Sequence, residues 1–208
     1  MKEIIVRLFS FLVMVILFST LSFANDVIIN VNGKDVILHD NYTWEYSDIT
    51  KINSSDIKTL TITSNLTTVL RSKNGKYQLN INPNIWDQTR GNNDSAEFQF
   101  VNKEQTGFSV VLYDGLPIPL ENMKKILIVN ANKIDPNSYI LNVEKCIVNN
   151  TEGELVTYSA TTSGLDFTFY AFIASKDSGT IQYTFYTLSS FFEKMKPIFI
   201  DAISGLIF

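Results

Sequence analysis

The hydrophobic pattern of this chain alternates far more than it cycles. In "NDVIINVNGKDVILHDNYTWEYS", Val27-Ile28-Ile29 and Val36-Ile37-Leu38 flank Asn32-Gly33, the strongest short hairpin signal. A second turn at Asp40-Asn41-Tyr42 returns Thr43 to Tyr46 beside the preceding strand, so the stretch predicts a small β-meander. Residues 47–58, "SDITKINSSDIK", are polar without a clear period and read as a linker or surface loop.

"TTVLRSKNGKYQLNI" repeats the hairpin around Asn74-Gly75. Tyr77, Leu79 and Ile81 alternate up to Pro83, and "NPNIWDQ" ends that strand. Ala96, Phe98 and Phe100 alternate next, then Phe108, Val110 and Leu112, with Val111 and Tyr113 making the opposite face apolar as in a central strand. The period changes over 119–134, where Leu120, Met123, Leu127, Ala131 and Ile134 recur at helical spacing. Pro119 suits the first helical position, Glu121 complements the positive helix end, and Asp135-Pro136 stops the run.

Four strands follow at hairpin spacing, over 139–148, 154–161, 165–174 and 180–187, with turns expected at Glu152-Gly153, Ser163-Gly164 and Ser178-Gly179. In "LDFTFYAFIAS" Phe167 and Phe169 point one way and Tyr170 and Phe172 the other, which predicts a strand covered on both sides. The closing "SSFFEKMKPIFIDAISGLIF" sets Ser190 and Glu193 at capping-box spacing, with Phe191, Met195, Ile198 and Ala202 as one apolar stripe. Pro197 inside the stripe predicts a kink or restart. The fold class is α+β: an antiparallel sheet with helices packed on it, preceded by the meander.

The order of these elements resembles the PsbP-like or DcrB-like family of α/β/α sandwiches. The carrying features are "YQLNINPNIWDQ", the helix "PLENMKKILIVNANKI", four consecutive strands, and "TIQYTFYTLSSFFEKMKPIFIDAISGL", a strand turning into a terminal helix. The resemblance implies an accessory binding or assembly role more than catalysis. The opening stretch also resembles a short module of exported bacterial proteins with a glycine turn, a hydrophobic strand and a second turn before Thr-Trp. Gly33, Val36, Leu38, Thr43, Trp44 and Tyr46 match it, and Asn41-Tyr42 departs from the usual glycine.

The first 24 residues stand apart. Lys2 and Arg7 precede a run of 14 uncharged residues from Leu8 to Leu21, followed by Ser22-Phe23-Ala24. A spanning helix needs roughly 20 apolar residues, and small residues three and one before a cut are the mark of a secretory signal peptide. The expected division is 1–24 signal peptide cut after Ala24, 25–58 meander and linker, and 59–208 the α+β domain, with a periplasmic or secreted destination. No cysteine stands at the boundary after the apolar run to carry a lipid there.

Removing Lys2, Arg7 and Glu3 with the leader leaves 15 basic and 20 acidic residues and no basic cluster. That balance argues against nucleic acid, whose affinity rests on phosphate neutralisation, and against electrostatic docking on anionic lipid. The lone Cys146 cannot form an internal disulfide and reads as a small buried hydrophobe on a strand face.

The chemistry is thin. His39 is the only histidine, no G-x-S-x-G elbow places a serine, and one His with one Cys cannot build a zinc site. Gly33-Lys34 and Gly75-Lys76 lack the spacing of a phosphate loop. Asp135, Asn137 and Tyr139 break the calcium-loop pattern. Asp166, between Leu165 and Phe167, is the acid in the most apolar sequence setting, and a catalytic carboxylate needs such a setting.

No catalytic, cofactor-binding or metal-ligating residue is therefore assigned, and no cofactor is expected. Trp44, Tyr46, Trp86 and Tyr113 lie near turns and are the candidate partner surface. The reading is an exported non-enzymatic protein contacting another envelope protein. The alternatives are a small carboxylate-dependent hydrolase and a carrier of a small apolar ligand.

Overall fold

Strand Leu165–Lys176 explains the architecture, because every position from Phe167 to Ala174 is buried. Phe167, Phe169, Ala171 and Ile173 belong to one hydrophobic cluster, while Tyr170, Phe172 and Ala174 belong to another. Alternation sends successive side chains to opposite faces, so a strand apolar on both must be sandwiched. A computed structural model of the chain describes residues 57–90 and 95–208 in full and, by backbone alone, strands at 27–31, 34–38 and 44–46.

Those three strands are β1 (Val27–Val31), β2 (Lys34–Leu38) and β3 (Trp44–Tyr46), paired antiparallel in the order β1-β2-β3. They are the expected meander. They lie in a unit spanning Ser19–Asp56, distinct from the unit that holds Ile57–Phe208.

The larger unit begins with β4 (Lys58–Leu60), β5 (Thr68–Arg71), β6 (Gln78–Ile81), β7 (Trp86–Gln88), β8 (Phe98–Asn102) and β9 (Phe108–Asp114). Helix α1 (Leu120–Asn132) leads to β10 (Tyr139–Val148), β11 (Thr151–Thr162), β12 (Leu165–Lys176) and β13 (Gly179–Leu188). A 3-10 turn at Ser189–Phe191, helix α2 (Phe192–Ser204) and β14 (Leu206–Ile207) close the chain. The main sheet runs β4-β10-β11-β12-β13-β9-β8-β7, antiparallel except for the β4–β10 pair, and a second sheet runs β14-β6-β5. Helix α2 and the small sheet cover one face; α1 covers the other.

Aromatic rings fill both layers. On the α1 side Tyr158, Phe169, Tyr186 and Phe108 stack across four neighbouring strands, with centroids 4.8, 5.5 and 5.4 Å apart. On the α2 side Phe185 stacks on Phe199 at 5.0 Å and meets Trp86 edge-on at 5.5 Å. Burying each such ring contributes about 1.5–3 kcal/mol by transfer alone.

Several local expectations change. The β10–β11 turn is Asn149-Asn150, both at positive φ (45° and 67°), so Glu152-Gly153 lies inside β11. Two residues at positive φ build the tight turn whose twist matches paired strands. Pro119 sits one position before α1 as its N-cap. Helix α2 starts after the 3-10 turn, so Phe191 caps it without a side-chain bond and the expected Ser190–Glu193 capping box is not formed. That offset rotates the buried stripe to Phe192, Met195, Phe199, Ala202 and Ile203, with Phe191 exposed. Pro197 sits within one continuous helix. It falls in the second turn on the exposed side, where the Glu193 carbonyl it leaves unbonded can turn to water.

Candidate functional site

Of the four residues proposed for a partner surface, Trp86 is a correction. It is 3% exposed and packs against Phe185 and Phe199. The cause is local: Asn82 forms a tight turn whose carbonyl accepts from the Ile85 and Trp86 N–H groups while its side chain accepts from Asn84 N–H, and this rotates the indole inward. Trp44 and Tyr46 lie on β3, where only the backbone is described, and His39 lies outside the described residues.

Tyr113, at the end of β9, is half-buried. Its hydroxyl donates to the Ser178 carbonyl, and its ring sits 5.8 Å from Tyr77 and 6.3 Å from Phe208. It lines a depression of about 250 Å³ with Lys73, Asn74, Ser95, Ala96 and Glu97. Typical small-molecule pockets run from about 300 to 1,000 Å³. The Glu97 carboxylate is engaged there: one oxygen accepts from the Tyr77 hydroxyl at 2.7 Å and the other from the Lys73 N–H. Burial, and then the neighbouring carboxylate, holds the Tyr77 phenol well above the ordinary tyrosine range. The arrangement ties the β5–β6 loop to the start of β8.

Asp166 stands exposed at the tip of the β11–β12 hairpin, where Thr161 Oγ1 donates to it at 2.7 Å. Flanking apolar residues in sequence did not translate into an apolar cleft, because alternation turns Leu165 and Phe167 to the opposite face. Asp135 is a loop-fastener: its carboxylate accepts from the Asn137 and Thr161 N–H groups. Cys146 is buried on β10, and burial pushes its thiol up to about 11. A thiol so protonated is a poor nucleophile. Among the described residues no group of three or more His, Cys, Asp or Glu is placed to hold a metal ion.

One charged cluster escaped the sequence. Lys124 on α1 is 3% exposed and reaches Glu121 at 2.7 Å and Glu154 of β11 at 3.1 Å. Burial pulls the ammonium down, but hydrogen bonds to the two carboxylates outweigh it, and the net position is above the ordinary lysine value. No short-range pattern marks Lys124, since its deeper partner lies on a strand 30 residues away. The pair fixes where α1 sits on the sheet.

No family model and no curated protein matches the chain. Among solved structures, the cyanobacterial PsbP (CyanoP) of Synechocystis sp. PCC 6803 superposes with a TM-score of 0.54 at 11% identity, covering 77% of this chain and 98% of that one. The fold is a PsbP-like sandwich. Two further solved structures superpose more weakly: PA94, a protein of unknown function from Pseudomonas aeruginosa, and LpqN, involved in cell envelope biogenesis in Mycobacterium tuberculosis. PA94 gives a TM-score of 0.43 at 16% identity over 67% of this chain and 95% of that one. LpqN gives 0.49 at 8% over 67% and 88%. No helix among the described residues of the PsbP-like sandwich is long and apolar enough to cross a membrane.

Proposed function

We propose that the chain is an exported, non-enzymatic protein of the bacterial cell envelope that binds another envelope protein or helps assemble one. The observation that carries this reading is the division of apolar residues. The aromatic side chains of both layers fill one another's space, while Leu116, Tyr139, Leu141 and Phe191 stand exposed on the surface. Exposed apolar side chains offer contact area to a partner, as the apolar part of an interface does. The charged start and apolar run of residues 1–24 support export, and the PsbP-like fold supports an accessory role by analogy. Trp44 and Tyr46 on the meander and Tyr113 on the sandwich are the aromatic positions proposed to meet the partner.

The test is photo-crosslinking in the native cell. A photoreactive residue replaces Leu116 in one strain and Trp44 in another, and captured proteins are identified from the envelope fraction. A discrete envelope protein captured from either position, with an N-terminus beginning at Asn25, supports the reading. Retention in the cytoplasm with Met1 intact, or capture no different from that of a buried control position, refutes it.

A further inference from the structure

Strand β10 is ten residues long, yet β4 pairs with only its last three, Cys146–Val148. Among the described residues no strand lies against the outer edge of the stretch from Tyr139 to Lys145. Exposed edge backbone of this kind is a template for another strand. Apolar exposure concentrates at its two ends: Tyr139 and Ile57 are each 59% exposed, and Leu141 is 48% exposed. Ile57 directly precedes Lys58, the residue of β4 that lies opposite Cys146.

We propose that this edge pairs antiparallel with the same edge of a second copy of the chain, about a twofold axis at Val143, making one sheet continuous across two copies. The register follows from which face each residue occupies. Asn142 and Glu144 lie opposite Thr157 and Leu155, so both side chains take the α2 side of the sheet, whereas Val143, opposite Val156, takes the α1 side. Residues opposite one another across an antiparallel pair share a face.

Setting Val143 against its own copy therefore places the Asn142 carboxamide against the Glu144 carboxylate of the second copy, and the symmetry repeats the match. The two groups are chemically suited, since Asn142 Nδ2 already donates to Glu144 Oε1 at 3.0 Å within one chain. A carboxylate has the lone pairs to accept from both.

The irregularity at Leu141 supports the same register. The β10–β11 pairing steps from Ile140 to Asn142 and leaves Leu141 as an extra residue. Skipping it sets Ile140 opposite Lys145 of the second copy, both on the α1 side. The edge beside Cys146 of the second copy is already held by Lys58, so the new pairing ends at Ile140 and Tyr139 leaves the strand line to meet the start of β4 end-on, at Ile57 and Lys58. The two most exposed apolar side chains at this edge cover each other at both ends of the pairing, and β4 stops it from sliding further.

Sedimentation analysis of the full chain over a concentration series tests the proposal. A reversible dimer is expected. Asn142→Asp sets two like-charged pairs across the axis and should weaken the dimer about tenfold at low salt, while Asn142→Lys should tighten it by a similar factor. Asn142 is exposed, so either change costs the monomer little beyond its own bond to Glu144, a cost that thermal denaturation measures separately from the dissociation constant. Ile57→Ser removes the contact with Tyr139 and should weaken the dimer without any change of charge. A monomer at every concentration overturns the proposal. So does a dimer whose dissociation constant ignores all three substitutions, or one in which Asn142→Asp and Asn142→Lys act in the same direction.

Discussion

The Lys124 ammonium on the inner face of α1 lies 3.1 Å from the Glu154 carboxylate on β11, joining helix to sheet through a charge pair that water scarcely reaches. Removing one partner of such a pair strands the other charge in the interior. Glu154→Ala should cost about 3 kcal/mol, the low end for a broken buried pair, because the exposed Glu121 still holds Lys124. Replacing both, Lys124→Met with Glu154→Leu, should restore most of that loss, since a packed apolar pair avoids desolvating two ions. Urea denaturation of the three variants gives both numbers. Equal losses in the single and double variants would show that the helix is held by its apolar stripe alone.

Gly153 lies opposite Cys146 across the β10–β11 pair, and a Cβ there would stand 2.6 Å from the Phe172 ring. The ring is fully buried between the layers and cannot withdraw. Gly153→Ala should therefore destabilise the sandwich by about 1–3 kcal/mol through overpacking, measured as a fall in the urea midpoint at constant slope. Gly164, at φ +74° in the β11–β12 turn with open space around it, is a different case. Alanine there meets no neighbour, and its cost is backbone strain of about 1 kcal/mol.

Five tyrosines, Tyr77, Tyr158, Tyr170, Tyr183 and Tyr186, have phenols raised above the ordinary value of 10.0, with burial the leading cause in each. Lys124 is also raised, with burial opposing and its carboxylate partners prevailing. For all six the folded state holds the proton more tightly than the unfolded one. Their contribution to stability is complete below the unfolded pKa and drains away as pH rises above about 10. The sandwich should thus be lost at alkaline pH in one cooperative step, with tyrosinate absorbance and far-UV circular dichroism changing together. Gradual titration of most tyrosines with the fold intact would contradict their burial.

What was legible in the sequence were the elements whose cause is local. Alternation marked the long strands, the three-to-four spacing marked α1, and Asn74-Gly75 marked the β5–β6 hairpin. The missed features depend on partners far along the chain. Strand β4 is three residues long and exists by parallel pairing with β10, and β14 is two residues held by β6. Nothing within "KTL" or "LI" specifies either pairing. Nearness to a turn makes Trp86 a candidate for the partner surface, but it says little about burial when a three-residue strand carries the ring inward. The Asn149-Asn150 turn is the exception, since its signal was local. The glycine of Glu152-Gly153 points to a turn three residues too far along, although an Asn pair tolerates the left-handed region nearly as well.

Asn149 also makes three long-range side-chain contacts from its turn. Its Nδ2 donates to the carbonyls of Ser204 and Leu206, each at 2.7 Å, and its Oδ1 accepts from the Ile62 N–H at 3.1 Å. One side chain therefore fastens the exit of β4, the end of α2 and the start of β14. Its own φ of 45° is one that β-branched and bulky residues avoid. Two variants separate these roles. Asn149→Gly keeps the backbone free to adopt the turn but deletes three hydrogen bonds, at about 1 kcal/mol each. Asn149→Ala deletes the same bonds and adds backbone strain of about 1 kcal/mol. Both should speed amide exchange in β14 and at Ile62 while leaving β12 protected, because those short elements depend on this one carboxamide and the central strand does not. If exchange instead rises uniformly across the sheet, the turn governs global stability and the local fastening is not what holds β4 and β14 in place.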